Sequence, residues 1–148
     1  MLFDFQSFLR LDSPQSLGAS ASGAAFATST GDILEVSCYG PGVFRVRAGP
    51  NALPDYGLVV GRTKACESRR GADGAWSFTA GDTTLELSGS PLRLRLLHKG
   101  APVFSSITDE HFRGWTRLPA LARRRQGGQW IASFALAYRL LAEGLAGL

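Results

Sequence analysis

Residues 83–106 read TTLELSGSPLRLRLLHKGAPVFSS, and their alternation decides the fold. Leu85 and Leu87 fall on one side of an extended chain, Thr84 and Glu86 on the other. Leu92, Leu94 and Leu96 repeat the pattern against Arg93 and Arg95. Period two would scatter these leucines around a helix, but it lines them up on a strand. Gly89-Ser90-Pro91 and Lys99-Gly100 supply reversals. The stretch therefore predicts an antiparallel meander, apolar on one face and wetted on the other. Residues 75–80 (AWSFTA) add a strand before it, turned by Gly81-Asp82, and residues 101–106 pair back after it.

The same rhythm extends upstream. Residues 24–30 (AAFATST) predict a short strand, and Asp32 opens a longer one in which Leu34, Val36 and Cys38 share a face. Gly40-Pro41-Gly42 reverses the chain, because proline presets one turn dihedral and glycine tolerates the next. Phe44 and Val46 then point inward, Arg45 and Arg47 outward, completing a hairpin. Residues 49–61 read as loop-like, with a short buried strand as an option in 56–61 (YGLVVG), and 62–74 are polar and end in a turn signal. Residues 107–129 break the rhythm with five arginines, a proline and three glycines. From Trp130 it returns, with Phe134, Leu136 and Tyr138 on the same face. At the other end, Leu2, Phe5, Phe8 and Leu9 sit at helical spacing, while Phe3 and Leu11 leave a strand open as the alternative. Residues 12–23 read as a small, polar loop.

About eight short strands with regular turns and no internal repeat predict an all-β fold, an antiparallel β-sandwich. The expected organisation is an N-terminal segment over 1–23 and a sandwich over 24–148. The chain of 148 residues is long enough for one sizeable core. It is 45% hydrophobic and 19% charged, a balance that excludes disorder throughout. No apolar run approaches the length that spans a bilayer, and no secretory signal precedes Asp4. The two cysteines, Cys38 and Cys66, make no disulfide framework, so a reduced, cytoplasmic setting is the default expectation.

Chemistry-bearing residues are sparse. His98 and His111 are the only histidines, and no His/Cys cluster has metal-ligand spacing, so neither a metal nor a cofactor is expected. Asp109 and Glu110 are adjacent carboxylates, which an extended chain would point to opposite faces. No nucleophile elbow, Walker loop or dinucleotide fingerprint is present. The net charge of +4 is concentrated in Arg69–Arg70 and Arg113–Arg125. That strip reads as a solvated loop or a surface facing another domain, and nucleic acid is not an expected partner. Trp76 and Trp130 begin strands and read as core. Trp115 lies in a loop and is the candidate substrate-binding residue, since an indole face suits the C–H side of a sugar ring.

Taken in order, three segments resemble the N-terminal domain of glycoside hydrolase family 31, the α-glucosidase and α-xylosidase family. The first is GDILEVSCYGPGVFRVRA (31–48), similar to that domain's early hairpin. The second is WSFTAGDTTLELSGSPLRLRLLHKGAPVFSS (76–106), whose LLHKGAPVF resembles the family's G-x-P turn through Gly100 and Pro102. The third is FALAYRLLAEGLAGL (134–148), similar to the strand entering the family's Y-G-L-G-E segment. Ala146 replaces the usual aromatic, and Leu148 precedes that motif's second Gly and its Glu. The resemblance covers about residues 24–148 and rests on the order of strands and turns. It implies a galactose mutarotase-like sandwich that continues for several strands into a (β/α)8 barrel. The barrel carries both catalytic aspartates of a retaining α-glycosidase, so no catalytic residue is carried over to this chain. The implied role is non-catalytic, bracing the barrel and walling its substrate cleft, with carbohydrate as the parent enzyme's partner. Two alternatives remain open: a stand-alone carbohydrate-binding module, and an interaction domain using Arg113–Arg125.

Overall fold

The computed structural model describes residues 8–50, 57, 59–89, 92–106, 121–134 and 136–138. Within them the protein is an all-β, antiparallel, sandwich-like fold of thirteen strands in three sheets, with no helix among the described residues. One sheet contains β2 (Gln15–Ser20), β3 (Gly23–Ala27), β4 (Ile33–Gly40) and β5 (Val43–Gly49), in that order. The largest contains β6 (Glu67–Arg70), β7 (Trp76–Ala80), β8 (Thr83–Ser88), β9 (Arg93–His98), β10 (Ala101–Ser106) and β13 (Leu136–Tyr138). These neighbour one another in sequence order, β13 lying beside β10. The third pairs β1 (Leu9–Arg10) and β12 (Gln129–Phe134) on either side of β11 (Leu121–Gln126).

All three sheets feed one core. Phe26, Leu34 and Val36 come from the four-stranded sheet, and Phe78, Leu85, Leu87 and Leu94 from the six-stranded one. Leu121 of β11 and Leu11 close it from the third sheet's side. Thus Leu85, Leu87, Leu92 and Leu94 are buried as their alternation predicts, while Glu86, Arg93 and Arg95 stand on the opposite face; at the end of β9 the pattern slips, with Leu96 only partly buried and Leu97 buried. Cys38 is fully buried, as its place beside Leu34 and Val36 predicts.

Turn chemistry sets the registers. Lys99 (φ 50°) and Gly100 (φ 78°) join β9 to β10 with left-handed dihedrals at both centres, the primed turn that matches strand twist. Pro41-Gly42 joins β4 to β5, with Gly42 at φ 74°. A Cβ on Gly42 would meet only Thr83 Oγ1 at 3.8 Å, an ordinary contact. The expected cost of Gly42→Ala is therefore conformational alone, about 1–2 kcal/mol, read from the urea midpoint.

Several expectations are corrected. Residues 12–23 are not all loop, because Gln15–Ser20 pair with β3. Every residue of β2 is exposed, so no apolar alternation marked it. No strand was expected in the polar residues 62–74 or in 107–129, where the rhythm breaks, yet Glu67–Arg70 and Leu121–Gln126 are strands. The described part of 56–61 holds no strand, and Val60 is 95% exposed instead of buried. The stretch from Trp130 to Tyr138 is not one strand. Residues 129–134 pair with β11, whereas 136–138 pair with β10, so the chain changes sheets between them. Of residues 1–11, open to a helix or a strand, 1–7 lie outside the described residues, and Leu9–Arg10 form a strand paired with β11.

Candidate binding cleft

Trp115 lies outside the described residues, as do Asp109, Glu110, His111, Arg113 and Arg117. Trp130 falls in β12. Trp76 packs against the core, as expected, stacked on Phe78 at 6.1 Å and edge-on to Phe26 at 5.5 Å. His98 is exposed, with Nδ1 3.4 Å from Thr83 Oγ1. None of the described candidates converges with another to form a catalytic group. Among the described residues, no group of three or more His, Cys, Asp or Glu side chains could hold a metal ion.

The arginine strip divides. Arg123 is not solvated: its Nε donates to Oδ2 of Asp32 at 2.5 Å, and Asp32 is fully buried. Thr30 Oγ1 donates to the same oxygen. Asp32 also ends a tight turn, in which its carbonyl accepts from the Thr28 amide at 2.9 Å and from Thr28 Oγ1 at 3.1 Å. Arg124 lies over the Phe8 ring at 4.9 Å. The Asp32–Arg123 contact ties the three-stranded sheet to the start of β4, while Arg124 over Phe8 packs β11 against the residue preceding β1. Sequence reasoning missed the Asp32–Arg123 pair, because nothing local links residues 91 positions apart.

Among the described residues, a cleft of about 520 Å³ lies over β7–β10. Its polar lining includes Asp73, Ser77, Glu86, Ser88, Arg93 and Arg95. Strand register assembles it. Ser77 faces Glu86, Glu86 faces Arg95, and Arg95 faces Ser105, giving a polar row across four strands. Arg95 Nε donates to Glu86 Oε2 at 2.6 Å. This bond first, and the carboxylate charge second, hold the Arg95 guanidinium above its ordinary pKa. The pair is too exposed to contribute more than about 1 kcal/mol to stability. It does hold both side chains in a fixed orientation over the cleft.

The turn between β6 and β7 forms one wall. Asp73 Oδ1 accepts the Ala75 amide at 3.1 Å, and the Gly71 amide donates to the Ala75 carbonyl at 2.7 Å. A Cβ on Gly71 would come within 2.6 Å of Asp73 Oδ1, so glycine there makes room for the carboxylate. Trp76 and Leu94 also border the cleft.

The lining offers donors at Arg93, Arg95 and the serines, and acceptors at Asp73 and Glu86. Two cations balance two anions, so no net field favours an ion over a neutral ligand. Such a surface suits groups that both donate and accept hydrogen bonds, as hydroxyls do. The lining has no histidine or cysteine to serve as base or nucleophile. In the sequence these residues are visible only as the outer faces of strands. Their convergence follows from register, which places residue 86 opposite 95.

No protein-family model matches the chain, and neither a curated protein nor a solved structure does.

Proposed function

We propose that this chain is the non-catalytic, galactose mutarotase-like β-sandwich of an α-glycosidase of the glycoside hydrolase family 31 type. Its role is to brace a (β/α)8 catalytic domain and to wall that domain's substrate cleft. The observation that supports this reading is the β7–β10 meander, in which the apolar-alternating strands are followed by a tight turn at Lys99-Gly100 ahead of Pro102. That is the order of strands and turns on which the resemblance rests. The purified chain is expected not to hydrolyse aryl α-glucosides or α-xylosides, since the carboxylates that would do so belong to the barrel. Turnover that co-purifies with the chain and scales with its concentration would overturn the proposal. The reading frame after codon 148 gives a second test. Continuation into Gly-Glu and then alternating strands and helices supports a parent glycosidase. A stop codon there shifts the weight to the alternative below.

The alternative is a carbohydrate-binding module, favoured by the charge-balanced polar cleft over β7–β10. Because Trp76 borders that cleft, bound sugar is expected to change tryptophan emission. Emission unchanged across α-glucans and xyloglucan oligosaccharides, or equally changed in Arg95→Ala, counts against it.

A further inference from the structure

Three backbone hydrogen bonds bring the two cysteines of this chain together. Cys38, near the end of β4, donates its amide to the Ser22 carbonyl at 2.8 Å. Its own carbonyl accepts the Lys64 amide at 2.8 Å, and the Cys66 amide donates to the Ala21 carbonyl at 2.9 Å. The segment 64–66 therefore runs alongside Cys38 and the turn between β2 and β3. Cys38 is fully buried, and the partly buried Cys66 packs against the core. Both are free thiols. Burial pushes the Cys66 thiol up, and the neighbouring Cys38 thiol adds to this through its charge and a hydrogen bond.

The two residues belong to different layers. Cys38 lies in the four-stranded sheet, whereas Cys66 immediately precedes β6, the edge of the six-stranded sheet. We propose that Cys38 and Cys66 form an oxidisable pair, a disulfide site that staples the two main sheets together. The oxidant is a small-molecule disulfide. Cys66 is the entry point, because it is the more accessible of the two. Its thiolate attacks one sulfur of the oxidant, forming a mixed disulfide and releasing one thiolate. Deprotonated Cys38 then attacks Cys66 Sγ and displaces the second thiolate. In sum, the two protein thiols lose two electrons and two protons, and the external disulfide leaves as two thiols. With the Cys66 thiol pushed up, its thiolate is scarce at neutral pH, so the exchange is slow. The result is a durable staple, not a rapid switch.

The test incubates the full chain with oxidised glutathione at alkaline pH and follows mass, alkylatable thiols and melting. The expected product is a monomer lighter by two hydrogens, with neither cysteine alkylated after unfolding. Its Tm should lie about 10 °C above that of the reduced chain, a gain reversed by dithiothreitol. Cys66→Ser, a change outside any strand, should abolish both the mass loss and the oxidant-dependent gain. Four results would each overturn the proposal: a glutathione adduct on Cys66 that persists with Cys38 still alkylatable, disulfide-linked dimers, an internal bond that lowers Tm, or thiols that stay free after prolonged incubation.

Discussion

Asp32→Ala is expected to destabilise the protein by about 3–5 kcal/mol and to lower Tm by about 10–15 °C. Asp32 is fully buried, and the side chain of Arg123 is only 15% exposed. Removing the carboxylate takes the Asp32 counter-charge away from a mostly buried guanidinium, and solvent cannot fully replace it. The Thr30 hydroxyl loses its acceptor as well. Loss of attraction alone predicts a smaller effect than loss of attraction with a stranded charge. A double variant separates the two: Asp32→Leu with Arg123→Leu removes both charges and is expected to recover to within about 1–2 kcal/mol of the parent. Equilibrium urea unfolding checks both. A single variant as stable as the parent would show that the pair contributes no net stability.

Phe26→Ala is the second large effect, also about 3–5 kcal/mol. Phe26, the fourth residue of β3, is fully buried and meets Trp76 and Phe78 of β7 edge-on, at 5.5 and 6.5 Å. It is thus one of the contacts through which the four- and six-stranded sheets grip each other. Truncation removes the buried ring area and leaves a cavity that two strands pinned by register cannot collapse to fill. It also removes the edge-to-face contacts, worth about 0.5–1.5 kcal/mol beyond burial. Phe26→Leu keeps most of the volume and should cost less than half as much. Trp76 reports the change directly, since its surroundings alter when the ring across from it disappears. Equal midpoints for the alanine and leucine variants would contradict this account.

The cleft and the Asp32–Arg123 pair differ in how far they could be read in advance. Glu86 and Arg95 were recognisable as residues of an outer face, because alternation assigns each strand position to one side. Their meeting required the register of the β8–β9 hairpin. Asp32 and Arg123 carried no comparable signal. A charged residue at a strand's start reads as exposed, and a run of arginines reads as solvated, until packing of β11 against the start of β4 buries one against the other.

What residues 24–48 and 75–106 dictate locally is strand, face and turn. Extended chains alternate sides whatever surrounds them, and glycine and proline constrain backbone dihedrals within a few residues. Alternation accordingly identified β4, β5 and β7–β10, together with the leucines they bury. It could not identify β2, β6 or β11, whose polar or arginine-rich segments are strands only because a neighbouring strand takes up their backbone hydrogen bonds. Nor could it foresee the change of sheet between residues 134 and 136, the burial of Asp32, or the meeting of Cys38 with Cys66. Those depend on contacts between residues far apart in the chain, and only the packed sheets bring such residues within reach of each other.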